Sequence, residues 1–384
     1  MTYRGLDSFR LFAFLAVLLF HVRLLPAGYL GVQAFFVLSG FLITPILVDM
    51  RRRLPPGRYF LHFYGRRSLR IFPLYYFYLA VVGACVALAL ATDRIPRSEA
   101  LERFSGQFVF ALTYTYDFFH ASRAFAQSYL LTHFWSLAIE EQFYLVWPFM
   151  VFFVPSARLK RVLVAMLVAG PVLRLAEAAV VTSQIGSLFY PRLDLVIYVL
   201  PTSHIDAFAM GGFLALYGRS PSRRVVAAYV AVLVIAGVIT ERLATGSNSM
   251  ALGYNAFMSD SWKYVWGYTC FNLLFGWILL MIRDRTLVPT LVEHPALVYL
   301  GKISYGLYVY HFGVIWLLSS LDVPGFHGWP MLWRATYAVG MLGVTILISM
   351  ASYAVLEAPC LRLKDRYFPI EDGRRALTGV AQTS

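Results

Sequence analysis

Hydrophobic positions in this chain come in long runs with few polar interruptions. Apolar stretches of about 20 residues, each able to cross a hydrocarbon core of about 30 Å, fall at 9–24, 28–48, 71–91, 134–154, 161–182, 197–217, 224–241, 263–282, 303–321 and 333–356. The pattern predicts an all-α, polytopic bundle of about ten transmembrane helices. An eleventh stretch, 104–119, is weaker.

Composition agrees. Of 384 residues, 59% are hydrophobic, 17% aromatic and 14% charged, and the mean hydropathy is +0.65, which excludes an ordinary soluble domain. The net charge of +13 would suit a nucleic-acid partner in a soluble protein. In a membrane protein Lys and Arg report topology first, and no nucleic-acid partner is expected. With ten crossings, the basic residues at 51–53, 58, 66–70, 158–161, 219–224, 283–285, 302 and 362–375 gather on the side of Arg4 and Arg10. The positive-inside rule makes that side, and both termini, cytoplasmic. Residues 92–133 then form an outer loop with a re-entrant or interfacial helix at 104–119.

Arg4 and Arg10 precede an apolar run with no small-residue cleavage site after it, so the first span reads as a retained signal anchor. Residues 1–365 read as one transmembrane domain and 366–384 as a short, disordered cytoplasmic tail. Cys85, Cys270 and Cys360 lack metal-ligand or CxxC spacing and are expected to be inert thiols in a protein without a metal site.

Ionisable residues inside the spans carry the chemistry. Arg10 and His21 stand eleven residues apart, three turns and about 16 Å along one helix face. "HFWSLAIEEQFYLVWP" enters from the outside, which puts Glu140 and Glu141 near the depth expected for His21. A carboxylate beside an imidazole fixes its tautomer and raises its basicity, as a general base requires. The simpler role for these groups is a structural ion pair or a hydrogen-bonded helix clamp. His204 and Asp206 in "PTSHIDAFAMGG", and His311 in "ISYGLYVYH", reach similar depths and are candidates for lining a polar cavity. At the cytoplasmic end, Arg67 and Arg70 share a helix face and suit bidentate phosphate binding. An arginine-rich loop that serves only topology is the competing explanation. Arg10 lies at the same end.

Taken in order, "LDSFRLFAFLAVLLFH", "GVQAFFVLSGFLIT", "RRSLRIFPLYY", "FWSLAIEEQFYLVWP", "LGKISYGLYVYH" and "YAVLEAP" resemble the acyltransferase-3 family of integral membrane O-acyltransferases over about residues 5–365. The resemblance implies an inner-membrane enzyme that takes an acyl group, usually acetyl, from acyl-CoA to hydroxyls. Typical acceptors are sugars of surface polysaccharides, lipid-linked glycans or glycosylated metabolites. It implies a catalytic role for His21 and donor binding by Arg67 and Arg70, with Arg10 alongside. No tightly bound cofactor is implied, and no oligomeric state. Two positions depart from the family's pattern: Gln33, where an acidic residue is common after "GV", and His204, where an arginine is frequent.

On this reading His21 deprotonates the acceptor hydroxyl while Glu140 or Glu141 orients the imidazole; a transient acyl-histidine ranks second. The rival from another class is a transporter or flippase for a glycan or small molecule, since intramembrane charges also mark carriers. Against it, the chain has no repeated halves.

Overall fold

The computed structural model describes residues 4–91, 99–128, 130–320 and 330–369. Each of the ten expected spans is mostly helical over its described residues. In chain order the helices are α1 (Arg4–His21), α2 (Leu30–Arg53), α3 (Pro56–Ala91), α4 (Glu99–Leu112), α5 (Tyr116–Ala121), α6 (Phe134–Phe153), α7 (Ser156–Val181), α8 (Leu193–Val199), α9 (Ile205–Tyr217), α10 (Arg223–Thr245), α11 (Lys263–Arg283), α12 (Pro289–Val292), α13 (Pro295–Lys302), α14 (Ser304–Ser320), α15 (Met331–Ser352) and α16 (Ala358–Tyr367). A π-turn, Tyr353–Glu357, joins the last two.

Among the described residues six helices are long and apolar enough to cross a membrane, and α8 with α9, bent by 69° at Pro201, would make a seventh. Helices α1, α6 and α14 have 18, 20 and 17 residues. They are shorter or more polar than the other six, and they carry Arg10, His21, Glu140, Glu141 and His311. The weak stretch near 104–119 breaks into α4 and α5 around Tyr114, whose φ is +53°. Fourteen residues of α4 span about 21 Å, too little for a crossing. The loop expected before the third span is itself helical. α3 starts at Pro56, where a missing N–H costs nothing, and its 36 residues carry Arg66, Arg67 and Arg70 inside the helix. Of the expected tail, 370–384 lies outside the described residues.

Helix α2 is the centre of the bundle, with 72% of its apolar window buried, whereas α7, α10 and the α15–α16 rod are each 17% buried and present their apolar sides outwards. A bilayer explains this inversion, since lipid tails are as apolar as leucine. Where α2 crosses α9 the backbones touch. A Cβ on Gly40 would stand 2.0 Å from the Phe208 carbonyl oxygen, and one on Gly211 would stand 1.9 Å from that of Val37. Small residues at helix crossings allow this approach. It holds the segment carrying His204 and Asp206 against the central helix.

Candidate active site

Two polar layers occupy the interior, joined by α1. At the N-terminal end of α1, Arg10 pairs with Asp7 one turn back and lies within electrostatic reach of Arg67, Arg70 and Tyr144. The Arg67 guanidinium sits 5.0 Å from the centre of the Tyr144 ring, with Glu140 and Glu141 as its acidic neighbours. Tyr144 donates a hydrogen bond to Glu140 Oε1, and Ser39 of α2 donates to the same oxygen at 2.5 Å. Glu357, at the end of the π-turn, has Arg70 as its electrostatic neighbour. Oε1 of Glu141 and Oε1 of Glu357 are buried with no hydrogen-bond partner among the described residues. Among those residues Arg67 and Arg70 also show no ion pair, a costly state for part-buried guanidinium groups unless an anion joins them.

The other layer is imidazole. His21, the last residue of α1, has its ring centre 5.5 Å from that of His311 and 4.4 Å from Phe312. His133, the residue just before α6, lies 5.2 Å from His311 and stacks on Phe312 at 4.8 Å. The backbone assigns two tautomers. His311 Nδ1 is 2.5 Å from the Tyr308 carbonyl oxygen and His133 Nε2 is 3.0 Å from that of Val309. A carbonyl only accepts, so each of these nitrogens carries the proton. The remaining nitrogens, Nε2 of His311 and Nδ1 of His133, are buried lone pairs with no partner among the described residues.

This arrangement corrects the expected pairing of His21 with Glu140 or Glu141. The carboxylates lie in the arginine layer. Because α6 begins at Phe134, Glu140 is seven residues past His133 and about 10 Å further down the axis. His133 holds the place beside the α1 histidine.

The cavity-lining expectation for His204 and Asp206 is likewise corrected. Both are fully buried. Asp206 accepts two 3.0 Å hydrogen bonds from Arg174 of α7 and one of 2.5 Å from Thr269 of α11; Arg174 also donates to the Ser203 and Val265 carbonyls. This is a three-helix clamp. His204 is held by Gln33 Oε1 at 2.9 Å and the Tyr198 carbonyl at 2.8 Å. The two positions at which the chain departs from the family's pattern are thus partners. An amide–imidazole hydrogen bond stands where an acid and an arginine would form an ion pair. Of the three expected cavity residues only His311 joins His21.

Residues the sequence reading left out are His133, Ser39, Tyr144, Arg174 and Glu357. Arg174 had a signal, since an arginine in the middle of an apolar span demands a partner. Glu357 had one in the otherwise apolar "YAVLEAP". Among the described residues no group of three or more His, Cys, Asp or Glu side chains is placed to hold a metal ion.

Comparison with known proteins agrees with the architecture. A family model described as an acyltransferase domain matches residues 3–353. O-acetyltransferase OatA of Staphylococcus aureus strain NCTC 8325 is 27% identical over 365 residues, covering 92% of this chain and 56% of its own length. OatA of strain MRSA252 matches equally, and a protein of strain COL, provisionally named an O-acetyltransferase, is 27% identical over 369 residues with the same coverage. The chain spans about half the length of these curated relatives. No solved structure matches it. The transporter alternative finds no support among the matches. The match over nearly the whole chain, on a bundle of apolar helices with arginine and histidine layers joined by α1, places the protein in the acyltransferase-3 family of membrane O-acyltransferases.

Proposed function

We propose that the protein moves an acyl group, acetyl by analogy with the names of its relatives, from acyl-CoA to a hydroxyl of a sugar. The sugar would belong to a surface polysaccharide, a lipid-linked glycan or a glycosylated metabolite. The observation that carries this reading is the separation of an arginine layer from an imidazole cluster along α1, about 16 Å for the eleven residues from Arg10 to His21. That geometry fits a donor with an anionic nucleotide at one end of a long, thin arm and a thioester at the other.

In this mechanism the nucleotide stays at the cytoplasmic face, its diphosphate against Arg67 and Arg70 with Arg10 beside them. His21 removes the acceptor's hydroxyl proton as the oxygen attacks the thioester carbonyl. The tetrahedral intermediate collapses, the C–S bond breaks, and the His21 proton passes to the departing CoA sulfur. His311 and His133 take the orienting role expected of a carboxylate, because their backbone-locked tautomers leave each of them a buried, unpartnered lone pair beside His21. Glu140 and Glu141 instead place negative charge near Arg67. The protein sits in the cytoplasmic membrane with both termini inside, and no tightly bound cofactor or metal is required.

The test is release of free CoA thiol from acetyl-CoA by purified protein with and without a glycan extract, followed by mass spectrometry of glycans and secreted metabolites from a deletion strain. Acceptor-stimulated thiol release and a missing 42 Da increment are expected. Absence of both overturns the reading.

A further inference from the structure

The arginine end of α3 is covered by the last described stretch of chain. Helix α16 packs along α3, and Phe368 fastens it: Arg66 donates to the Phe368 carbonyl and pairs with Asp365 at 3.2 Å. The tip of the Phe368 ring abuts Gly65, where a Cβ would stand 2.3 Å from the ring's Cζ, and the ring meets that of His62 edge-on at 5.6 Å. This clasp sets Lys364 among the arginines. Its electrostatic neighbours are Arg66, Arg70 and Arg67, and the acid nearest to it, Asp365 at 3.6 Å, is already shared with Arg66. The Lys364 side chain is 15% exposed, against 67% for that aspartate. Four cations from two helices therefore converge on one surface; Glu140 and Glu141 neighbour Arg67 and Glu357 neighbours Arg70, whereas the acid beside Lys364 is the largely solvated Asp365 that Arg66 already uses. Like charges so placed repel unless an anion bridges them.

We propose that this clasp is the subsite for the nucleotide end of the thioester donor, with Lys364 holding the ribose 3′-phosphate and the His62–Phe368 ring pair bordering the adenine. The proposal rests on the acyl-CoA reading above and adds a helix and a residue that reading does not contain. The order of groups along the site supports the assignment. Arg66, Arg67 and Arg70 follow one another along α3, and Lys364 sits at the Arg66 end. CoA runs from thioester through pantetheine to diphosphate, then to the ribose 3′-phosphate and base. With the thioester at His21, the diphosphate falls at Arg67 and Arg70, and the 3′-phosphate at Lys364 on the Arg66 side. An ammonium supplies a compact point charge at that place.

Isothermal titration of the full chain in detergent with CoA and with 3′-dephospho-CoA tests the subsite. Lys364→Gln is expected to weaken CoA binding about tenfold, the weight of one charge-assisted contact, and to leave 3′-dephospho-CoA binding unchanged, which also shows that the variant is folded. Lys364→Arg should stay within about threefold of wild type. Arg362→Gln, at an exposed position of the same helix, should bind both ligands as wild type does. Wild-type CoA affinity in Lys364→Gln overturns the subsite. So does an equal loss for both ligands, or an equal loss in Arg362→Gln, since either describes a diffuse field or a structural role. A wild-type protein that binds neither ligand overturns the donor reading itself.

Discussion

His21 packs against His311, ring centres 5.5 Å apart, while the carboxylate expected beside it, Glu140, is bound by Ser39 and Tyr144 in the arginine layer. The base and the acids thus serve different ends of the site, and mutations should separate them.

His21→Ala should lower turnover by about 10²–10⁴-fold while CoA affinity stays within about twofold. His311→Ala should lower turnover less and also leave CoA affinity alone. Thiol-release kinetics beside CoA titration reads both. A His21→Ala protein keeping more than a tenth of wild-type turnover removes the base from this residue.

Glu140→Gln should act on the donor side. It keeps an oxygen for Ser39 and Tyr144 but removes the charge near Arg67, so the KM for acetyl-CoA should change while the pH profile of turnover keeps its shape. A displaced profile would restore Glu140 as the partner of the imidazole.

Arg67→Gln and Arg70→Gln should each raise the KM for acetyl-CoA about ten- to a hundredfold, the worth of a charge-assisted phosphate contact. The preference among acceptors should not change. Lysine should rescue only in part, because it keeps the charge and loses the bidentate fork. Silent lysine variants together with misinsertion of the double glutamine protein would leave these arginines as topology markers.

Arg174→Met should destabilise the protein by about 3–5 kcal/mol, because it strands the fully buried Asp206 carboxylate. Adding Asp206→Leu should recover part of the loss, the Ser203 and Val265 carbonyls remaining without their donor. Thermal unfolding in detergent measures both. A double variant no more stable than Arg174→Met would show that the carboxylate is not the source of the cost.

For Gln33 and His204, whose side chains meet at 2.9 Å, His204→Arg alone should destabilise and the pair Gln33→Glu with His204→Arg should be milder than the sum of the two single changes. Coupling above about 0.5 kcal/mol in a double-mutant cycle is expected for side chains in contact. Additive effects would mean that the two positions vary independently.

Much of this protein follows from local properties. Membrane partition and the ten helical segments depend on mean hydropathy over about 20 neighbouring residues, and the Arg10–His21 axis depends only on 3.6 residues per turn within one helix. Those features were legible without a fold, as was family membership, which rests on ordered motifs. Which acid meets which base was not. Each such contact joins two helices and depends on where each helix starts and how it is rotated. Glu140 misses His21 because α6 begins at Phe134, one residue after the histidine that takes its place. His204 turns to Gln33 because touching glycines hold α9 against α2. Lys364 reaches Arg67 and Arg70 only because Phe368 and Arg66 fasten the last described helix to α3, some 300 residues away in sequence.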